Sequence, residues 1–261
     1  MQVARINGAD LHFVDQGPKD GPALVFANSL GTDLRLWDAL LPYLPAGLRL
    51  VRMDKRGHGL SEATPSPYSI EQLADDAAAL IARLELRDPV FVGLSIGGLI
   101  GQSLALRHDV LRGLVIANSA AKIGDPELWN GRIATVQKDG IAAISAATME
   151  RWFSPTFRET PAVGLWRRML ERQPPDGYVG CCQAIAAADY RDHVPRLGIP
   201  VQLVAGSLDG ATPPEVVRAT AALIKGADYA EIDGAGHLPC VEAPAAFAAI
   251  LTQFLERIGH V

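Results

Sequence analysis

The stretch Val90–Gly98 constrains the fold of this chain more than any other, because in it a short apolar run leads into Gly-x-Ser-x-Gly at residues 93–97. A helical pattern follows at residues 99–106. A strand that turns directly into a helix crowds its turn residue, and glycines on either side let the backbone pass close to itself. The serine would then be exposed beside the free N–H groups of the helix start. We interpret Ser95 as a candidate nucleophile; the alternative is an ordinary glycine-rich turn that contains a serine.

The composition is that of a globular protein and argues against several functional classes. The 261 residues are 49% hydrophobic and 20% charged, which is enough to bury a large core. The formal net charge of -5 does not suggest a nucleic-acid-binding surface. No apolar run reaches the roughly 18 residues that a membrane span needs, and the N-terminal residues lack a signal-peptide pattern. We therefore expect a cytoplasmic protein with no nucleic-acid or membrane partner.

The three cysteines, Cys181, Cys182 and Cys240, predict neither a disulfide framework nor a metal site. Adjacent cysteines almost never pair with each other, and an odd number argues against a framework of bridges. No Cys/His spacing is typical of a metal site, so we expect no metal and no organic cofactor. Cys240 follows His237 by three positions and is an alternative nucleophile. It lacks a turn of its own that would expose and activate the thiol.

Apolar runs alternate with helical patterns along most of the chain, which predicts an α/β fold with a mostly parallel sheet of eight strands covered by helices. Two runs around Asn7-Gly8 predict an antiparallel pair. Residues 33–44 are predicted to form a helix, and Ser69, with Gln72 three positions later, predicts the capped start of another.

The strand–helix alternation stops between Lys122 and Arg196, in a stretch that holds three of the four tryptophans. Its patterns are helical, and it begins where a predicted strand ends. We therefore expect a core made of residues 1–121 and 197–261, with a helical lid inserted at residues 122–196.

A serine hydroxyl needs a base to take its proton, and the base needs an acid to orient it. Among the six histidines, His237 is favoured, because it lies beside glycines after the last predicted strand. Its alternative is a surface histidine. Asp209 follows another buried strand and is the candidate acid, although an Asp-Gly turn explains it too. Asp125 and Asp192 in the insertion are alternatives, and the favoured order along the chain is Ser95, Asp209, His237.

The chain as a whole resembles the α/β-hydrolases, in which nucleophile, acid and base follow in this order. The D-x-R-G-x-G-x-S loop at residues 54–61 is similar to that of their lidded, esterase-like branch. Residues 28–32 read Asn-Ser-Leu-Gly-Thr where most relatives carry His-Gly, and this form is similar to 3-oxoadipate enol-lactonases. Residues 117–124, 128–132 and 177–182 share that similarity. The resemblance implies hydrolysis of 3-oxoadipate enol-lactone through an acyl-enzyme, in the beta-ketoadipate pathway of aromatic degradation.

The implied reaction also needs two backbone N–H donors for the oxyanion of the tetrahedral intermediate. Ile96, directly after the nucleophile, is expected to supply one. The loop after the third strand is expected to supply the other, from Leu30 or, because this loop departs from His-Gly, from Ser29. Only the backbone of these residues would act.

The implied lactone substrate is a small anion, and its free carboxylate needs a cationic partner in a buried site. Four residues of the lid are the candidates: the cations Arg132 and Lys122, and the apolar walls Trp129 and Trp152. Arg35 and Arg151 are the alternatives. Each has an ordinary explanation as well, since lid arginines usually face solvent and tryptophans usually pack.

Several other functions stay open at this point. A general carboxylesterase, a carbon–carbon bond hydrolase and a cofactor-free perhydrolase can all share the same three residues. A ligand-sensing receptor that keeps the hydrolase fold is a further alternative. A haloalkane dehalogenase is disfavoured, because it needs a carboxylate where this chain has Ser95. The sequence does not predict the oligomeric state.

Overall fold

Eight strands form a single sheet in the computed structural model, which describes residues 1–261. In chain order they are β1 (Gln2–Ile6), β2 (Ala9–Gln16), β3 (Ala23–Ala27), β4 (Arg49–Met53), β5 (Val90–Leu94), β6 (Gly113–Ala117), β7 (Val201–Gly206) and β8 (Asp228–Ile232). Their spatial order is β1-β2-β4-β3-β5-β6-β7-β8. The pairs β1–β2 and β2–β4 are antiparallel and every other pair is parallel. The predicted fold class and the predicted antiparallel pair are confirmed.

Ten α-helices connect these strands or flank the sheet. They are α1 (Ile70–Arg83), α2 (Ile96–Arg107), α3 (Pro126–Asp139), α4 (Ala142–Trp152), α5 (Pro155–Arg158), α6 (Val163–Glu171), α7 (Pro175–Ala187), α8 (Pro214–Leu223), α9 (Pro239–Glu242) and α10 (Pro244–Arg257). None of them is both long and apolar enough to cross a membrane.

The central strands β3 to β7 are buried along their whole length. Strands β3, β5 and β6 are continuous apolar runs of the sequence, whereas β4 also buries Arg49 and Arg52 and β7 buries Gln202. Strands covered on both faces by helices have no solvent-facing side to make polar. Since β5, β6, β7 and β8 are neighbours and parallel, their carboxyl ends meet at one edge of the sheet. This edge is where loops from distant parts of the sequence come together.

The predicted helix over residues 33–44 is wrong, because this segment forms two 3₁₀ helices, Leu34–Trp37 and Leu41–Tyr43. Pro42 lies in the second of them and has no N–H to donate within a regular α-helix. The capped start at Ser69 is confirmed: its hydroxyl accepts the Gln72 N–H at 3.1 Å, directly before α1.

Five helices, α3 to α7, lie between β6 and β7, where the alternation stops. Helix α7 touches the loop after β4 with almost no space between the backbones. A Cβ added to Gly177 would lie 2.2 Å from the carbonyl oxygen of Gly57, so glycine is required at this contact. The insertion thus packs against a loop at the same edge of the sheet.

Candidate active site

Ser95 lies between the last residue of β5 and the first residue of α2, in the predicted strand–turn–helix arrangement. Its φ of 58° and ψ of -119° are unusual for a residue with a side chain. The flanking glycines make this turn possible, since a Cβ on Gly93 would lie 2.1 Å from the Gly97 carbonyl oxygen. A Cβ on Gly97 would lie 2.2 Å from the carbonyl oxygen of Ala27. The backbone thus holds the Ser95 side chain at the edge of the sheet.

The structure brings the predicted base and acid together at the same edge. His237 follows β8 and Asp209 follows β7, and His237 Nδ1 lies 2.8 Å from Asp209 Oδ2. Burial alone would raise the pKa of Asp209, but the interactions with His237, together with the hydrogen bonds from Asn118 and Thr212, outweigh it and the pKa is lowered. Asp209 is therefore a carboxylate at neutral pH, and Nδ1 of His237 donates to it. This leaves Nε2 free to accept a proton.

The Asp209 carboxylate is held by Asn118 and Thr212, two residues for which the sequence analysis predicted no role. Asn118 Nδ2 donates to Oδ2 at 2.8 Å, and the Thr212 hydroxyl lies 2.7 Å from the same oxygen. The N–H groups of Ala211 and Thr212 donate to Oδ1. Asn118 directly follows β6, between the strands that lead to Ser95 and Asp209, and this position is the signal that could have identified it.

A small cavity of about 40 Å³ joins the sheet edge to the insertion. Ser95, His237 and Leu30 line it from the core. The insertion contributes an aromatic wall, which consists of Trp129, Trp152 and Tyr178. Trp152 also holds the loop of the predicted base, because its carbonyl oxygen accepts the backbone N–H of His237 at 2.7 Å.

Of the two predicted oxyanion donors, Leu30 lines the same cavity, and Ile96 directly follows Ser95, which lines it too. Ile96 is the first residue of α2, so its N–H has no carbonyl one turn earlier in the helix. Leu30 follows Ser29, whose carbonyl oxygen accepts hydrogen bonds from Lys55 Nζ at 2.7 Å and from the Thr32 hydroxyl at 2.9 Å. The Leu30 N–H itself donates to no protein group. The hydroxyl of Ser29 lies 3.4 Å from His237 Nε2.

Two arginines of the insertion, Arg132 and Arg151, face the cavity without an acidic partner. Arg132 Nε donates to the Tyr178 hydroxyl and Nη2 donates to Thr148 Oγ1, both at 2.7 Å. Arg151 Nε donates to the Gly210 carbonyl at 3.3 Å. Partial burial and the positive charge of Arg132 lower the pKa of Arg151. Two guanidinium groups in one cavity repel each other unless an anion joins them.

Lys122 is not part of this cavity, contrary to its proposed role as a cationic partner. Its Nζ lies 3.3 Å from Asp189 Oδ2, and both side chains are partly exposed. Arg35 is also elsewhere, because it pairs with Asp33 and is 61% exposed. These cations are already matched by carboxylates of their own.

The remaining alternatives also lie outside the cavity. The Asp125 carboxylate caps α3 by accepting the Leu128 N–H, and Asp192 is exposed. Burial raises the pKa of the Cys240 thiol, so it is not an activated nucleophile. No cluster of three or more His, Cys, Asp or Glu side chains is arranged to hold a metal ion.

Glu242 joins the loop of His237 to the insertion. Its Oε1 accepts the Gly236 N–H at 2.8 Å and its Oε2 accepts the Ser154 N–H at 3.0 Å. We expect Glu242→Gln to lower the free energy of unfolding by about 1–2 kcal/mol, because the new amide group would face one N–H without an acceptor. Urea denaturation measures this change, and Glu256→Gln is the control, since Glu256 is exposed on α10. Equal stabilities of the two variants would contradict the bridging role.

A sequence model of the "Alpha/beta hydrolase family" matches residues 24–250. The chain is 34% identical to 3-oxoadipate enol-lactonase 2 of Acinetobacter baylyi, over 95% of this chain and 94% of that protein. The crystal structure of the enol-lactonase from Burkholderia xenovorans has a TM-score of 0.94 and 37% identity, over 98% of this chain and 100% of that one. A malate-bound thermophilic esterase from Thermogutta terrifontis has a TM-score of 0.93 and 29% identity, over 100% of both chains.

Proposed function

This chain belongs to the alpha/beta hydrolase family, and we propose that within it the chain hydrolyses 3-oxoadipate enol-lactone, a small anionic lactone, to 3-oxoadipate. The observation that carries the proposal is the pair of unmatched guanidinium groups, Arg132 and Arg151, in the cavity that Ser95 and His237 also line. A neutral ester gives these charges no partner, whereas a lactone with a free carboxylate does. The similarity to proteins named enol-lactonases supports the same substrate class.

In the proposed reaction Ser95 attacks the lactone carbonyl. His237 Nε2 takes the proton of the hydroxyl, and Asp209 stabilises the imidazolium through Nδ1. The carbonyl oxygen becomes an oxyanion that accepts hydrogen bonds from the N–H groups of Leu30 and Ile96. These donors stabilise charge that exists only in the tetrahedral intermediate and the transition states around it, so they increase kcat.

Collapse of the intermediate breaks the ring C–O bond, and His237 gives its proton to the departing enol oxygen. The enol then becomes a ketone, which makes ring opening hard to reverse. A water molecule, deprotonated by the same histidine, attacks the acyl-enzyme and releases Ser95. The product has gained a second carboxylate and leaves as a dicarboxylate.

The insertion supplies the selectivity in this proposal and acts as the lid. Arg132 and Arg151 bind the carboxylate that the lactone already carries, beside the walls formed by Trp129 and Trp152. A lid that excludes water strengthens both this ion pair and the oxyanion contacts, because charges interact more strongly in a low dielectric. Arg132 is also pre-oriented by Tyr178 and Thr148, so little side-chain entropy is lost on binding.

We expect Arg132→Ala to lower kcat/KM for the enol-lactone by about 10- to 100-fold, since a hydrogen bond to a charged group contributes about 1.5–3 kcal/mol. For a neutral aryl ester the same variant should change kcat/KM by less than about threefold. Arg151→Ala should show the same selective loss. The loss of enol-lactone ultraviolet absorbance and the release of phenol from phenyl acetate measure the two reactions.

Lys122→Ala is the matched control, because it removes a lid cation that is paired with Asp189 outside the cavity. It should leave both reactions near the parent rate. Equal losses on the anionic and the neutral substrate in Arg132→Ala and Arg151→Ala would indicate structural damage. A parent enzyme that prefers phenyl acetate to the enol-lactone would favour a general carboxylesterase.

A further inference from the structure

Lys55 is a buried cation that the proposed mechanism does not use. It lies in the loop after β4 and is 2% exposed, and no carboxylate lies within ion-pair distance of it. Its Nζ donates one hydrogen bond, of 2.7 Å, to the carbonyl oxygen of Ser29. Burying an ammonium group without a carboxylate is costly. This single contact therefore needs an explanation.

The carbonyl of Ser29 belongs to the same peptide unit as the N–H of Leu30. In a planar trans peptide the C=O and N–H bonds point in opposite directions. Lys55 Nζ and the hydroxyl and N–H of Thr32 hold the oxygen on the protein side. The N–H of Leu30 therefore points away from them, and it donates to no protein group. Leu30 lines the cavity that holds Ser95.

We propose that Lys55 is a positioning residue for the oxyanion hole: its ammonium group holds and polarises the Ser29–Leu30 peptide, so that the Leu30 N–H is a fixed and stronger donor. The proposal rests on the proposed function and adds a residue to its machinery. Hydrogen bonds in a chain polarise one another, and a charged donor on the carbonyl makes the N–H of that peptide more acidic. The gain appears where negative charge develops, in the transition state.

His58, from the same loop as Lys55, holds the next peptide of the loop after β3, the oxyanion loop (residues 28–32). Its Nε2 accepts the Gly31 N–H at 3.0 Å. Burial and the charge of Lys55 lower the pKa of His58, so the ring is neutral and can accept this bond. The loop after β4 thus places a donor on one peptide of the oxyanion loop and an acceptor on the next.

The environment of Lys55 predicts a specific dependence of kcat on pH. Burial lowers the pKa of Lys55 to about 8, while the charges of Asp54 and Asp33 act in the opposite direction. The other groups that face it do not titrate there: His58 is neutral, and burial raises the pKa of the Cys181 thiol to about 12. The ammonium is present below pH 8 and is lost above it, so kcat should fall as the pH rises through about 8.

The test is Lys55→Met, which keeps the length of the side chain and removes the charge and the donor. Turnover of phenyl acetate is followed together with that of the enol-lactone, and an aliphatic trifluoromethyl ketone serves as the probe of the oxyanion. Removal of a whole oxyanion donor costs about 10²–10³ in kcat. A weakened donor should cost about 10- to 100-fold, with KM within about twofold. Affinity for the ketone should fall by the same factor, and the alkaline fall in kcat should disappear.

Cys181→Ala is the matched control, because it loosens packing in the same buried cluster without touching the carbonyl of Ser29. It should leave kcat and the ketone affinity near the parent values. Should Lys55→Met not fold, two other variants carry the test. Lys55→Gln keeps a neutral donor, and Thr32→Val removes the hydroxyl donor to this carbonyl while the Thr32 N–H still donates to it at 3.3 Å. Each should lower kcat and the ketone affinity together, by up to about tenfold, because other donors to the carbonyl remain.

An unchanged kcat and ketone affinity in the Lys55 variants would overturn the proposal. So would a loss of kcat that comes with an equal rise in KM, since that is the pattern of a merely structural role. Failure of the proposed function is a separate result, namely no enol-lactone turnover by the parent enzyme. Ser95-dependent hydrolysis of phenyl acetate still tests Lys55 in that case.

Discussion

Ser95→Ala is expected to lower kcat by on the order of 10⁶ and to leave the fold intact. Alanine keeps the Cβ that the backbone already accommodates at a φ of 58°, so the turn should not change. The variant retains the predicted N–H donors and the cationic cavity but has no hydroxyl to form the acyl-enzyme. Its residual rate would come from binding and from the oxyanion hole alone. Initial rates at high enzyme concentration, with circular dichroism as the check on folding, measure this effect.

Ser29 is the competing hydroxyl, because its Oγ lies 3.4 Å from His237 Nε2. It lacks the helix start and the flanking glycines that surround Ser95, so Ser29→Ala should cost at most about tenfold. Ser103→Ala, on the helix that follows Ser95 but outside the cavity, is the control and should be close to the parent. A severe loss in Ser29→Ala together with near-normal hydrolysis by Ser95→Ala would reassign the nucleophile.

Asp209→Asn should lower kcat by up to about 10⁴, by analogy with the same change in other triads. The carboxylate accepts from His237 Nδ1 and so keeps the lone pair on Nε2. An amide NH₂ at this place favours the opposite tautomer, in which Nε2 carries the proton and cannot serve as the base. The dependence of kcat on pH should differ from that of the parent enzyme, whereas KM should change little.

The fold should tolerate Asp209→Asn for a specific reason. The amide oxygen can still accept the N–H groups of Ala211 and Thr212. The new NH₂ group would meet Asn118 Nδ2, but Asn118 Oδ1 has no hydrogen-bond partner and can accept after the Asn118 amide rotates. Asp125→Asn and Asp192→Asn are the controls. Severe damage in either of them, with a mild effect of Asp209→Asn, would show that the acid is misassigned.

The fold was predictable from the sequence because its signals are local. Strands covered on both faces are largely apolar, and continuous apolar runs in the sequence predicted β3, β5 and β6. The turn at Ser95 admits only glycine at positions 93 and 97, because a Cβ at either position would collide with a backbone carbonyl oxygen. Because strands β5 to β8 run parallel, the loops after β7 and β8 lie at the edge of the sheet that holds Ser95. The predicted helix at residues 33–44 failed where Pro42 and tertiary packing favoured 3₁₀ turns.

The sequence by itself therefore determined the sheet, the turn at Ser95 and the edge at which Ser95, Asp209 and His237 meet. Only the tertiary structure decided which cations face the cavity, since this depends on how the helices of the insertion pack. Lys122 and Arg132 are both basic and close in sequence, yet one pairs with Asp189 and the other faces the cavity. The contact of Lys55 with the oxyanion loop could not be predicted from the sequence either, because it joins loops that are brought together only when β3 and β4 pair.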